Sequence, residues 1–266
     1  MATNSDIVNE ISKHGSYETG HAKNVANFEK VVDFCVGYGT TYNPSKATIK
    51  LAALQTLLTN AKTALTSTNA NLVAWSNAVA ARDLAFEPLS KLVTKIVNAI
   101  KATDTSQQVI DNAKTYARKL QGRRAVAIIK NGNLPVGEPV PGAEILIEQE
   151  EKHISASQMS FDNRLDNLDK LIKLLSSVTT YAPNEAELKT TALTTLINDL
   201  KTKNSAVLTA LVSVSNSRIS RNDILYKENT GLVDVAFSVK AYIKSIFGAT
   251  SPQYKQISKL AFKRVK

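Results

Sequence analysis

The chain carries three histidines, His14, His21 and His153, and a single cysteine, Cys35. Imidazole and thiol are the side chains most readily turned to metal ligation, acid–base work or nucleophilic attack. Their spacing supports none of these. A structural zinc site needs a cluster of Cys and His ligands, and a ferritin-like centre needs Glu-x-x-His on facing helices; neither pattern is present. His14 and His153 each stand in Lys-His-x-Ser, which reads either as a ligand position used twice or as a capping or packing residue at a helix start. The second reading asks less of the chain.

Carboxylates cluster at Glu185/Glu187 and at Glu148/Glu150/Glu151, the first in a helix-capping position and the second in an acidic run, where solvated surface explains them. There is no Gly-x-Gly-x-x-Gly loop, no Walker pattern and no Gly-x-Ser-x-Gly elbow. No catalytic, cofactor-binding or metal-ligating residue is therefore assigned, no cofactor is expected, and the chain is expected not to be an enzyme. A basic contact surface is the remaining candidate. Arg118, Lys119, Arg123 and Arg124 close one half of the chain, and Lys259, Lys263, Arg264 and Lys266 close the other. Together they could hold phosphates or an acidic partner, or simply complement the negative ends of helices. Only Tyr116 and Phe262 stand among them, so stacking platforms for single-stranded nucleic acid are thin.

The elements that would position these residues are written twice. "TTYNPSKATIKLAALQTLLTNAK" from Thr40 and "TTYAPNEAELKTTALTTLINDLK" from Thr179 share 11 of 23 residues without a gap. Outward from this anchor, "NFEKVVDFC" from Asn27 matches "NLDKLIKLL" from Asn167, and "LVTKIVNAIK" from Leu92 matches "VAFSVKAYIK" from Val235. The offset drifts only at expected turns, as two copies of one fold should show. Cys35 falls on Leu175 and Trp75 on Val214, so both read as apolar core positions.

Each copy reads as four helices. The first ends near Gly37 and near Ser176. The second begins after the proline, with Asn184 and Glu187 as a capping box and Ser45 as the matching cap. In it, Leu51, Leu54, Leu58, Ala61, Leu65, Thr68, Leu72, Trp75 and Val79 recur alternately three and four apart, a heptad seam. The copy-two seam runs Leu193, Ile197, Leu200, Asn204, Val207, Leu211, Val214, where Asn204 either sets register against a partner helix or faces solvent. Unbroken to about Phe86 and Tyr226, these helices should be roughly 40 residues and roughly 60 Å long. A third helix follows Pro88 or Gly231 and stops near Asp104 or Gly248, and a fourth opens at Ser106 or at Ser251-Pro252.

The expected architecture is all-α: a flexible N-terminus over 1–12, helical repeats over 13–130 and 151–266, and a Pro/Gly linker over 131–150. Strand-favouring stretches beside the linker could pair as a small β-hairpin or extend the helices. With 266 residues and 43% hydrophobic content a genuine core is expected. The net charge of +10 is diluted, +7 over residues 1–130 and +3 over the rest. No run reaches the roughly 20 apolar residues that span a bilayer, and no signal peptide opens the chain, so a cytoplasmic location is the default and an exported mature chain is equally compatible. A concealed membrane hairpin is poorly supported, because Asp234, Lys240 and Lys244 interrupt the best segment, 231–248. Duplication, heptad seams and missing catalytic signatures point to a structural protein whose partner is itself, in a filament or scaffold. The alternative is a binding module using its basic helix ends.

Overall fold

The computed structural model describes residues 18–123 and 159–264, and these are helical with no strand among them. In chain order the helices are α1 (Glu18–Gly37), α2 (Leu51–Phe86), α3 (Leu89–Lys101), α4 (Gln107–Leu120), α5 (Phe161–Ser176), α6 (Thr190–Tyr226), α7 (Leu232–Phe247) and α8 (Pro252–Ser258). Short 3-10 turns lie at Gly39–Thr41, Ala47–Ile49 and Ala186–Leu188. The linker, the hairpin stretches and the residues before Glu18 lie outside the described residues.

Two compact units divide the chain, and the division falls inside the two long helices. The first unit takes residues up to Asn77 and from Leu208 onward; the second takes Ala78–Val207. Packing thus draws on both halves of the chain for each unit.

In the first unit, α1 offers Phe28, Val31, Val32 and Cys35 on one face, the i, i+3, i+4, i+7 spacing of an amphipathic helix. Against them pack Leu54 and Ala61 of α2, Leu225 of α6, Val235, Val239 and Ile243 of α7 and Ile257 of α8. In the second unit, Leu89, Val93, Ile96 and Ile100 of α3 meet Leu168, Leu171 and Leu175 of α5, Leu120 of α4 and Leu193, Ile197 and Leu200 of α6. Each such side chain contributes about 1.5–3 kcal/mol by leaving water, which is why helices of unremarkable propensity hold together here.

The long helices have 36 and 37 residues, about 55 Å each. Within the first unit they run antiparallel. Thr68 Oγ1 donates to Ser217 O (3.3 Å) and Asn71 Nδ2 to Ser213 O (3.4 Å), partner numbers falling as α2 advances. Leu54, Ala61 and Thr68 of α2 are buried.

Several helix starts differ from expectation. Neither Ser45 nor the Asn184/Glu187 pair caps a long helix, because a 3-10 turn intervenes and α2 and α6 begin only at Leu51 and Thr190. The cause is a buried tyrosine at the head of each turn. Tyr42 Oη donates to Ile49 O (2.6 Å) and Tyr181 Oη to Leu188 O (2.9 Å), which satisfies a carbonyl the following extended lysine leaves without a helical partner. Ser251 caps α8, its hydroxyl accepting from Tyr254 N (3.1 Å) with Pro252 in the first turn. Ser106 occupies the same place before α4 without a side-chain cap bond. The entry to α7 is fixed by Gly231, where an added Cβ would lie 2.5 Å from Lys227 N.

Candidate functional site

The basic residues are divided between the units. Arg118 and Lys119 lie in the last turn of α4 and Arg123 just beyond it, all in the second unit. A left-handed Gly122 (φ 65°) closes that helix, with Gly122 N donating to Lys119 O (3.3 Å) and Arg123 N to Arg118 O (3.0 Å). Their cations thus sit where a helix end favours them. Lys259, Lys263 and Arg264 follow α8 in the first unit. Arg124 and Lys266 lie outside the described residues.

The segment carrying Lys263 and Arg264 is laid along α1 and α7. Asn24 grips Lys263 by both backbone groups, its Oδ1 accepting from Lys263 N (3.1 Å) and its Nδ2 donating to Lys263 O (2.8 Å). Asn27 Nδ2 reaches Ala261 O (2.8 Å), and Lys240 Nζ reaches Leu260 O (2.5 Å). The Arg264 guanidinium pairs with Asp234, whose other carboxylate oxygen caps Asn229 N (2.9 Å). One of the four predicted cations of this end therefore has its charge met within the chain.

His14 and His153 lie outside the described residues. His21 is buried in the first unit, Nδ1 2.6 Å from Tyr226 Oη, while Asn24 Nδ2 donates to the same hydroxyl (3.2 Å). Cys35 is 1% exposed, and burial pushes its thiol up to about 12, so the nucleophilic thiolate does not form near neutrality. Among the described residues no three His, Cys, Asp or Glu side chains come together as a metal site.

Sequence reasoning passed over a cluster where α2 ends beside the start of α5. The Arg82 guanidinium lies over the Phe161 ring (3.7 Å) and that of Arg164 over the Phe86 ring (4.9 Å), the two rings meeting edge to face at 4.9 Å. Arg164 Nη2 also donates to Phe86 O (3.0 Å), and burial lowers its pKa. Asn204, half-buried, donates to Asp162 Oδ1 (2.8 Å) and accepts from Arg82 Nη1 (3.5 Å). Its amide thus serves the second unit internally. Interlocked cations and rings of this kind fix helix ends; they present no reacting atom to a substrate.

The second unit also holds an open cleft of ≈ 760 Å³ between the end of α3 and the segment 180–188. Tyr181, Leu188 and Ala99 form its floor, and Lys95, Asp104, Glu185 and Glu187 its rim. Lys95 Nζ is bound to Glu187 Oε1 (2.7 Å), leaving Asp104 and Glu185 to set the sign of the rim. Burial, reinforced by the charge of Glu185, holds the Tyr181 phenol at about 12, so it stays neutral and keeps donating to Leu188 O. In the sequence this segment offers a repeat anchor and a capping box; the cleft follows from its folding back onto α3.

Fold and site define an all-helical protein among the described residues, with no helix there long and apolar enough to cross a membrane. Compared with family models, with curated proteins and with solved structures, the chain matches none.

Proposed function

We propose that this chain is a non-enzymatic structural protein, a duplicated helical unit that associates with further copies of itself into a filament or scaffold. The observation that carries the reading is an apolar stripe on α6. Leu208, Val212 and Ile219 are 57%, 50% and 65% exposed and, at i, i+4 and i+11, fall within about 40° of one another around the helix. Exposed aliphatic side chains aligned on one face of a helix suit an association surface.

Duplication supports the same reading. Tyr42–Ile49 and Tyr181–Leu188 are one bond made twice, and the ion pairs Glu29–Lys62 and Asp169–Lys201 are another. The compact units then each combine the front of one copy with the back of the other, the arrangement of a domain-swapped dimer carried in one chain. Such a unit owes its fold to contacts with its own kind, and like surfaces repeated along a chain are suited to propagating contacts.

Solution mass by light scattering, with negative-stain images at low and high salt, tests the proposal. Assemblies larger than the 28.9 kDa chain that survive high salt are expected, because apolar packing is not screened as phosphate contacts are. The triple variant Leu208→Lys, Val212→Lys, Ile219→Lys is expected to be monomeric with unchanged helical content. A wild-type monomer at all concentrations would overturn the reading.

A further inference from the structure

In the first unit, Tyr242 of α7 lies edge to face against Tyr42 (5.4 Å), and its hydroxyl accepts from Asn43 N (3.2 Å). Its ring therefore fills the space between α7 and the segment that follows Tyr42. In the second unit Tyr181 holds the place of Tyr42, and the helix packed beside it is α3. The residue of α3 that stands where Tyr242 does is Ala99, which is half-buried in the cleft floor. This pairing rests on the duplication proposed above. An aromatic ring present in one unit is missing from the other, and an open cleft takes its place.

We propose that this cleft is a binding site for a phenol ring that carries a positive charge beside it. The ring would take the place that Tyr242 fills elsewhere in the same chain, edge to face on Tyr181 and against Leu188 and Ala99. The accompanying charge follows from the rim. Where the first unit has Lys46 bound to Ser238 (3.1 Å), the second has Glu185, and Asp104 lines the same cleft without an ion pair among the described residues. Lys95 is already engaged with Glu187. A neutral ring would fit, a cationic one would add attraction to Glu185 and Asp104, and an anionic one would meet their repulsion. Two sources share this chemistry: a free aromatic amine, and a tyrosine next to lysine or arginine in a polypeptide.

The test is a titration of the whole chain by NMR with four probes: tyramine, p-cresol, 3-(4-hydroxyphenyl)propionate and the capped dipeptide acetyl-Tyr-Lys-amide. Saturable shifts at Ala99, Tyr181 and Leu188 are expected, in roughly the millimolar range for so small a ring, with tyramine or the dipeptide tightest and the anionic ring weakest. The tighter of those two names the source. Ala99→Tyr should refill the cleft and weaken binding about tenfold or more, with its fold and solution mass unchanged. Tyr242→Ala should open a second site, raising the stoichiometry from one to two, and p-cresol should raise its Tm. Absence of saturable shifts for every probe up to about 10 mM would overturn the site, as would binding that Ala99→Tyr leaves intact. Equal affinity for the cationic and anionic rings would overturn the role of the rim. Because these readouts are local shifts and stoichiometry, they stand or fall apart from the solution mass that tests assembly.

Discussion

Cys35 offers the sharpest test of how tightly the first unit is packed. Its thiol is buried among Phe28, Val31, Val32 and Tyr42, and burial raises its pKa to about 12. In an unfolded chain the same thiol ionises near 8.5. At pH 8 the folded state therefore holds roughly 10⁻⁴ of it as thiolate and the unfolded state roughly a quarter, a ratio above about 10³ even before the reagent is sterically excluded. Alkylation by iodoacetamide should pass through opened chains, so its rate should climb with urea in step with the loss of helical circular dichroism. The same ionisation gives a sign for pH. The fold favours the neutral thiol, so its contribution is intact below about pH 8.5 and is lost as pH rises toward about 12, at up to about 1.4 kcal/mol per pH unit. The difference in stability between wild type and Cys35→Ala, followed by urea melts from pH 7 to pH 10, isolates that loss from the titration of lysines. Alkylation in native buffer at the rate of a free thiol, indifferent to urea, would refute the reasoning.

Two further perturbations probe the turns that launch the helices. Tyr181→Phe and Tyr42→Phe each strand a carbonyl, at Leu188 and Ile49, and should cost about 1–2 kcal/mol, seen as a lower urea midpoint with an unchanged slope; no measurable loss would deny the bonds their role. Ser251→Ala should cost about 1 kcal/mol and Ser106→Ala close to nothing, because only Ser251 accepts a cap bond; equal losses in thermal melts would contradict the geometry.

The helices were legible because their signals are local. Glycine, proline and serine punctuate the chain near their ends, and α2 and α6 end at Phe86 and Tyr226 where the apolar pattern gives out. The start of α6 misled for a physical reason. Asn184 and Glu187 have the spacing of a capping box, but the Tyr181 hydroxyl claims Leu188 O, a bond spanning seven residues to which a four-residue motif is blind. The composition of the compact units was invisible because periodicity says which face is buried and nothing about which helix covers it. The ring pairs of Arg82 with Phe161 and Arg164 with Phe86 escaped for the same reason. A signal for the cleft did exist: aligning "LVTKIVNAIK" with "VAFSVKAYIK" sets Ala99 opposite Tyr242, a methyl group against a large ring, directly before the identical Ile-Lys pair that ends both segments.

The division of α2 and α6 between two cores has a consequence at the ribosome. The front of the first core, Phe28 to Ala61, leaves the exit tunnel early, yet Leu225, Val235, Val239 and Ile257, which cover it, come from the far end of the chain. All of residues 78–207 must be translated in between. At about 5–20 residues per second that wait lasts roughly 7–26 s, during which α1 and the first turns of α2 have each other but lack the cover of α6, α7 and α8. The central unit, by contrast, is continuous in sequence and can close first. Synthesis thus runs from the middle outward in folding terms, and the nascent N-terminal third is the stretch most in need of a holdase.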